Sequence, residues 1–163
     1  MQVHFYDCDL FREHDTGYAH PECAARVTAI TTGLKARQIY NRLEQQCPEP
    51  VAPDLLYQAH HPDHVERVLN AQGQCISFDS DTQTSKATVD AALHAAGAVV
   101  QATENVLNNS NTTAFCAVRP PGHHAERHRV MGFCYFNNVA LASYAALNQG
   151  VKRIFIFDPD VHH

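Results

Sequence analysis

A chain of 163 residues that is 45% hydrophobic can build one buried core, so one domain or part of one is expected. A net charge of −5, a pI near 6.1 and scattered Lys and Arg argue against direct nucleic-acid binding. The start, MQVHFYDCDL, has no basic leader region, and no run approaches the ~20 apolar residues of a membrane span, so a soluble, cytoplasmic chain is expected.

In chain order, VHFY is a short β-prone run followed by the His- and Asp-rich loop REHDTGYAHPE. From Glu22 to Gln45 the apolar positions Ala25, Val27, Ile30, Leu34, Ile39 and Leu43 recur at helical spacing, and Pro21 is placed to open that helix. PEPVAPD breaks it. PDHVERVLNAQ predicts a shorter helix, again opened by a proline with an acid in its first turn. SFDSDTQTS reads as a loop that supplies an N-cap to the alanine-rich helix KATVDAALHAAGAVVQATENVL. AFCAV is continuous and apolar, which predicts a buried parallel strand, and NNVALASYAALNQG is a helix stopped by Gly150. RIFIFD repeats the buried-strand pattern. Strand, helix, strand at this spacing is a βαβ unit and implies an α/β fold with a parallel sheet.

Six cysteines without a C-x-x-C spacing predict free thiols, mostly buried, rather than a thiolate metal site. Twelve histidines are more informative, because several lie beside acids. In parallel sheets, ligands bind beyond the carboxyl ends of the strands. AFCAV runs into RPPGHH and RIFIF runs into DPDVHH, so both clusters are expected at one edge of the sheet. Alternation in extended backbone turns Asp158, Asp160 and His162 to one side and Val161 and His163 to the other. A carboxylate and an imidazole facing one volume suit Zn²⁺, and an Asp-x-Asp after a strand serves equally to cap a helix or solvate a loop. His123 and His124 follow Pro120, Pro121 and Gly122. As loop residues they are either solvated surface or, opposite a metal, a general base and its neighbour. In MGFCYF, the residues Phe133 to Phe136 are expected in the core, with at most one lining a channel.

Taken together, RPPGHHA, MGFCYFNNVA and DPDVHH resemble the zinc-dependent histone deacetylase family in its broad sense, which includes acetylpolyamine amidohydrolases and shares the arginase/deacetylase fold. HDTGYAHPECAARVTAI is similar to the family's opening segment and DSDTQTS to its Asp-rich substrate loop. The resemblance implies a three-layer α/β fold, a parallel sheet flanked by helices, with residues 1–163 forming the N-terminal portion of a single domain. It implies removal of acetyl groups from lysine or polyamine amines, with Zn²⁺ and a structural K⁺ as cofactors. In that reading Asp160 and His162 are zinc ligands, His124 is the general base and His123 an electrostatic or proton-shuttling partner. Asp158 orients His123 and helps hold potassium, while His163 supports the ligands from behind. Gly132 and Phe133 lie on the acyl tunnel, with the Gly132 carbonyl accepting the amide N–H, and Asp81, or else Asp79, sits at the substrate rim.

The family pattern also has members without a counterpart here: the Gly-rich turn after the His pair, a third zinc ligand and a late oxyanion-stabilising Tyr. Pro159 stands where a bulky residue is common. Two other readings therefore stay open, a non-catalytic chain that binds metal or a partner and forms homo-oligomers through an unpaired sheet edge, and an arginase-like manganese hydrolase.

Overall fold

A computed structural model describes residues 1–162, so His163 lies outside the described residues. Its sheet has three parallel strands, β1 (Gln2–Tyr6), β2 (Glu44–Gln46) and β3 (Thr112–Cys116), in the order β2-β1-β3. The helices are α1 (Leu10–Glu13), α2 (Ala25–Ala36), α3 (Pro53–Ala59), α4 (Pro62–Leu69), α5 (Thr88–Asn108) and α6 (Asn138–Asn148).

Central strand β1 explains the layering. Its successive side chains point to opposite faces. Phe5 packs with Val27 of α2, Tyr40 and Leu43, whereas Tyr6 packs with Ala98 and Ala102 of α5. Helices thus cover both faces, giving the three layers expected. The main core lies between α3, α4, α5 and α6, around Leu56, Val65, Val68, Ala96, Tyr135, Phe136 and Leu141. Gly97 lets the 49–51 segment cross α5 at backbone contact: a Cβ there would lie 2.0 Å from the Glu49 carbonyl oxygen. That approach allows Val51 N–H to donate to the Leu93 carbonyl and Gln101 to bond the Glu49 backbone.

Several sequence expectations are corrected. The helix expected over 22–45 stops at Ala36, because Gln38 takes a left-handed φ of 58° and the chain turns back. Leu34, Tyr40 and Leu43 then pack around Phe5, and residues 44–46 pair with β1 instead of extending the helix. PEPVAPD contains the start of α3, opened by Pro53. β3 is half-buried rather than buried, since it lies at a sheet edge and leaves Phe115 49% exposed. RIFIFD is not a strand: residues 151–160 pair with none of the described strands, and Phe155 and Phe157 are 88% and 75% exposed. A strand needs a ladder partner and a covering layer, and the apolar run by itself supplies neither. No side chain before α5 caps it at Ala87. All six thiols are free, but only Cys134 is buried, and Cys47 and Cys75 are exposed. No described helix is long and apolar enough to cross a membrane.

Candidate active site

The loop after β3 carries Arg119, which is 2% exposed and bonds Glu22, 1% exposed, through Nε and Nη2, with Nη1 donating to the Phe11 carbonyl. This joins the N-terminal His-Pro-Glu segment to the root of the His-pair loop. His14 lies beside the pair, its Nδ1 2.9 Å from Thr88 Oγ1 and its Nε2 3.6 Å from Glu22 Oε2, too far for a hydrogen bond.

After Pro120, Pro121 and Gly122 the loop presents the two histidines, with ring centroids 4.0 Å apart. His123 Nδ1 is 2.8 Å from Asp158 Oδ2. Two stretches 35 residues apart thus meet, as expected, although the second is not a strand. Across from His124, the His162 ring is 6.4 Å away, centroid to centroid. Burial lowers the pKa of His124, and like charge on His123 adds to it, so its imidazole is neutral at pH 7, the form a base requires. The Asp158 carboxyl is held low by the Asp160 backbone N–H and by His123. Asp160 is held low by the His162 backbone N–H and then its ring, so both acids are ionised.

Asp160 Oδ1 and His162 Nδ1 lie 3.1 Å apart. Two ligands of one tetrahedral zinc, each bound at ~2.0–2.1 Å, are separated by about 3.3 Å. These two donors therefore fit neighbouring positions on one ion, and both side chains are accessible. Among the described residues no group of three His, Cys, Asp or Glu side chains could hold a metal. The pair accounts for two ligands only. A pocket of about 570 Å³ lies beside His123, Asp158 and Asp160, with Val139, Ile156 and Phe157 among its walls. The other large cavity, about 610 Å³, opens at the carboxyl ends of β1 and β2 and touches none of the sequence-predicted site residues.

Gly132 packs onto the His124 ring. It has φ +56°, and an added Cβ would lie 2.6 Å from His124 Cδ2. Its carbonyl accepts from Cys134 Sγ at 3.2 Å. Phe133 has φ +67°, a costly conformation for a bulky residue, held by its N–H donating to Thr82 Oγ1 at 3.0 Å. The His20 ring meets the Phe133 ring edge-on at 4.6 Å. Asp79 and Asp81 have different roles. Asp79 Oδ1 accepts from Asp81 N–H and Thr82 N–H, and although burial opposes ionisation these bonds lower its pKa. Asp81 keeps an exposed side chain while its carbonyl meets His20 Nε2 at 3.2 Å. Cys134, Tyr135 and Phe136 are core residues, so Phe133 alone of the four stays partly accessible.

Buried neutral histidines outside the site set an acid limit. Burial pushes His14 and His60 down to about 4, with Glu22 opposing this at His14 and His64 reinforcing it at His60. The unfolded chain takes up these protons near pH ~6.5 and the fold resists until about 4, so stability present above pH ~6.5 is lost as pH falls through that window, by up to ~1.4 kcal/mol per pH unit for each residue. Urea midpoints should drop between about pH 7 and about pH 5. A constant midpoint would refute burial of the neutral forms.

Sequence reasoning missed the roles of Thr82, His60 and Asn137, which bond backbone of residues 123–137, and of the Glu22–Arg119 pair at the root of the loop. Only Asn137, a capping residue type before an apolar helical run, carried a local signal.

Residues 20–163 match the histone deacetylase domain family. The protein slr0245 of Synechocystis sp. is 41% identical over 168 residues, covering 100% of this chain and 55% of its own length. Histone deacetylase 5 of Arabidopsis thaliana is 36% identical over 165 residues, 93% of this chain and 25% of that protein. The crystal structure of the HDA15 HD domain superposes with a TM-score of 0.93 at 30% identity, over 99% of this chain and 48% of that one. The chain thus spans about half or less of these relatives.

Proposed function

Because the chain belongs to the histone deacetylase family, we propose that it forms the N-terminal part of one deacetylase domain, whose whole protein removes acetyl groups from lysine or polyamine amines. The observation that carries this reading is the meeting of His123 and His124 with Asp158, Asp160 and His162. The exposed apolar run from Ile154 to Phe157, which lies beside Val99 and Thr103 of α5 and Val139 and Ala142 of α6, and the unpaired edge of β3 favour cover by further structure of the same domain.

In this reading Asp160 and His162 would hold zinc and Asp158 would help hold potassium, while the role of supporting the ligands would fall to His163, which lies outside the described residues. Bound zinc brings the pKa of its water to ~7 and polarises the acetyl carbonyl. His124 accepts the proton of the attacking water. His123, oriented through Nδ1 by Asp158, keeps Nε2 free to stabilise charge or pass a proton to the leaving amine. Gly132 and Phe133 flank the acyl chain, and the Asp81 carboxylate meets the substrate backbone or a cationic amine at the rim.

Full-length protein assayed on an acetyl-lysine peptide and an acetylated polyamine should lose hydrolysis on chelation and regain it with zinc. Activity indifferent to chelation contradicts the proposal, and recovery with manganese alone favours an arginase-like hydrolase.

A further inference from the structure

We propose that Asn137 is a positioning residue for the histidine pair: its carboxamide grips the backbone on both sides of His124, and His60 seats it. Asn137 Nδ2 donates to the His123 carbonyl at 3.4 Å and to the Ala125 carbonyl at 3.1 Å. The other end of the same carboxamide, Oδ1, accepts from Ala140 N–H at 3.0 Å and caps α6. One planar group therefore couples the rigid start of an 11-residue helix to the loop that carries the base.

His60 fixes where that group sits. Its ring is 1% exposed, and its Nε2 accepts from Asn137 N–H at 3.0 Å. The proton consequently resides on Nδ1, which donates to the Glu126 carbonyl at 2.9 Å. His60 thus ties together the two ends of the segment from Glu126 to Asn137, which contains Gly132 and Phe133. Gly122 lets the same loop pack closely on the start of α6: an added Cβ would lie 2.6 Å from Asn138 N and 2.8 Å from the Phe136 carbonyl oxygen. His124 is therefore held through its flanking carbonyls by Asn137 and against its ring by Gly132. A base acts only when its nitrogen lies within hydrogen-bond reach of the proton it takes, and a displacement of ~1 Å costs up to ~10²-fold in rate.

The proposal rests on the deacetylase reading, and its test is built to separate the two. Asn137→Ser keeps a residue that caps as well as Asn but is too short to span both carbonyls. Asn137→Asp keeps size and cap and turns an oxygen towards those carbonyls in place of the N–H donors. In full-length protein both variants should lower kcat about ten- to hundredfold, with KM within about threefold of wild type and thermal stability nearly unchanged. Imidazole C–H cross-peaks of His123 and His124 in NMR spectra should shift or broaden, while those of His94 on α5 stay in place. Unchanged kcat and cross-peaks, or lost thermal stability alone, would overturn the positioning role. If wild-type protein hydrolyses neither acetylated substrate, the deacetylase reading fails, and the cross-peaks by themselves decide the positioning.

Discussion

His124→Ala should lower kcat for acetyl-lysine hydrolysis by ~10²–10⁴-fold in full-length protein, with little change in KM and none in bound zinc. The size follows from what the side chain does. The His124 ring is packed against Gly132, and burial lowers its pKa, which favours the neutral form. Removing it leaves His123, whose Nδ1 is tied to Asp158, as the remaining member of the pair. His94→Ala, on α5 and bonded only to the Asp90 carbonyl, is the matched control and should retain wild-type turnover. Equal turnover in His124→Ala and wild type would remove the base assignment.

Arg119→Met should destabilise the fold by ~3–5 kcal/mol, the cost of leaving one partner of a buried ion pair without the other. Glu22 is 1% exposed and receives two bonds from the guanidinium, and the Phe11 carbonyl loses its donor as well. His14 cannot compensate at no cost, because burial holds it neutral. Glu22→Gln combined with Arg119→Met removes the stranded charge and should recover part of the loss, giving a clearly non-additive cycle in urea unfolding. A loss below about 1 kcal/mol in the single variant would mean that the pair is solvated, as exposed pairs are. Since Arg119 roots the loop leading to His123 and His124, the pair links fold stability to the site.

Local pattern carried much of the fold. β1, the proline-opened α4, the alanine-rich α5 and α6 with its Gly150 stop all follow from periodicity and terminal residues, and the parallel arrangement follows from their alternation. Where pattern failed, a non-local partner decided. Leu43 is in register with a helical stripe, yet packing on Phe5 and pairing with β1 turn its segment into strand. The run at 153–157 has the composition of a buried strand, but the described residues offer it no ladder. In the site, the His pair and the Asp-x-Asp-x-His motif were legible because their residues lie close together in sequence. Arg119 and Glu22 are 97 residues apart, and His60 and Asn137 are 77 apart, so each contact exists only after folding.

Everything in the functional reading depends on one ion sitting where the two loops meet. Crystals of the full-length protein, with diffraction recorded above and below the zinc absorption edge, locate it directly. An anomalous peak bonded to Asp160 and His162, with His124 facing it across the acyl site, is the predicted result. A peak elsewhere, or zinc-replete protein with Asp160 and His162 free of metal, would contradict it.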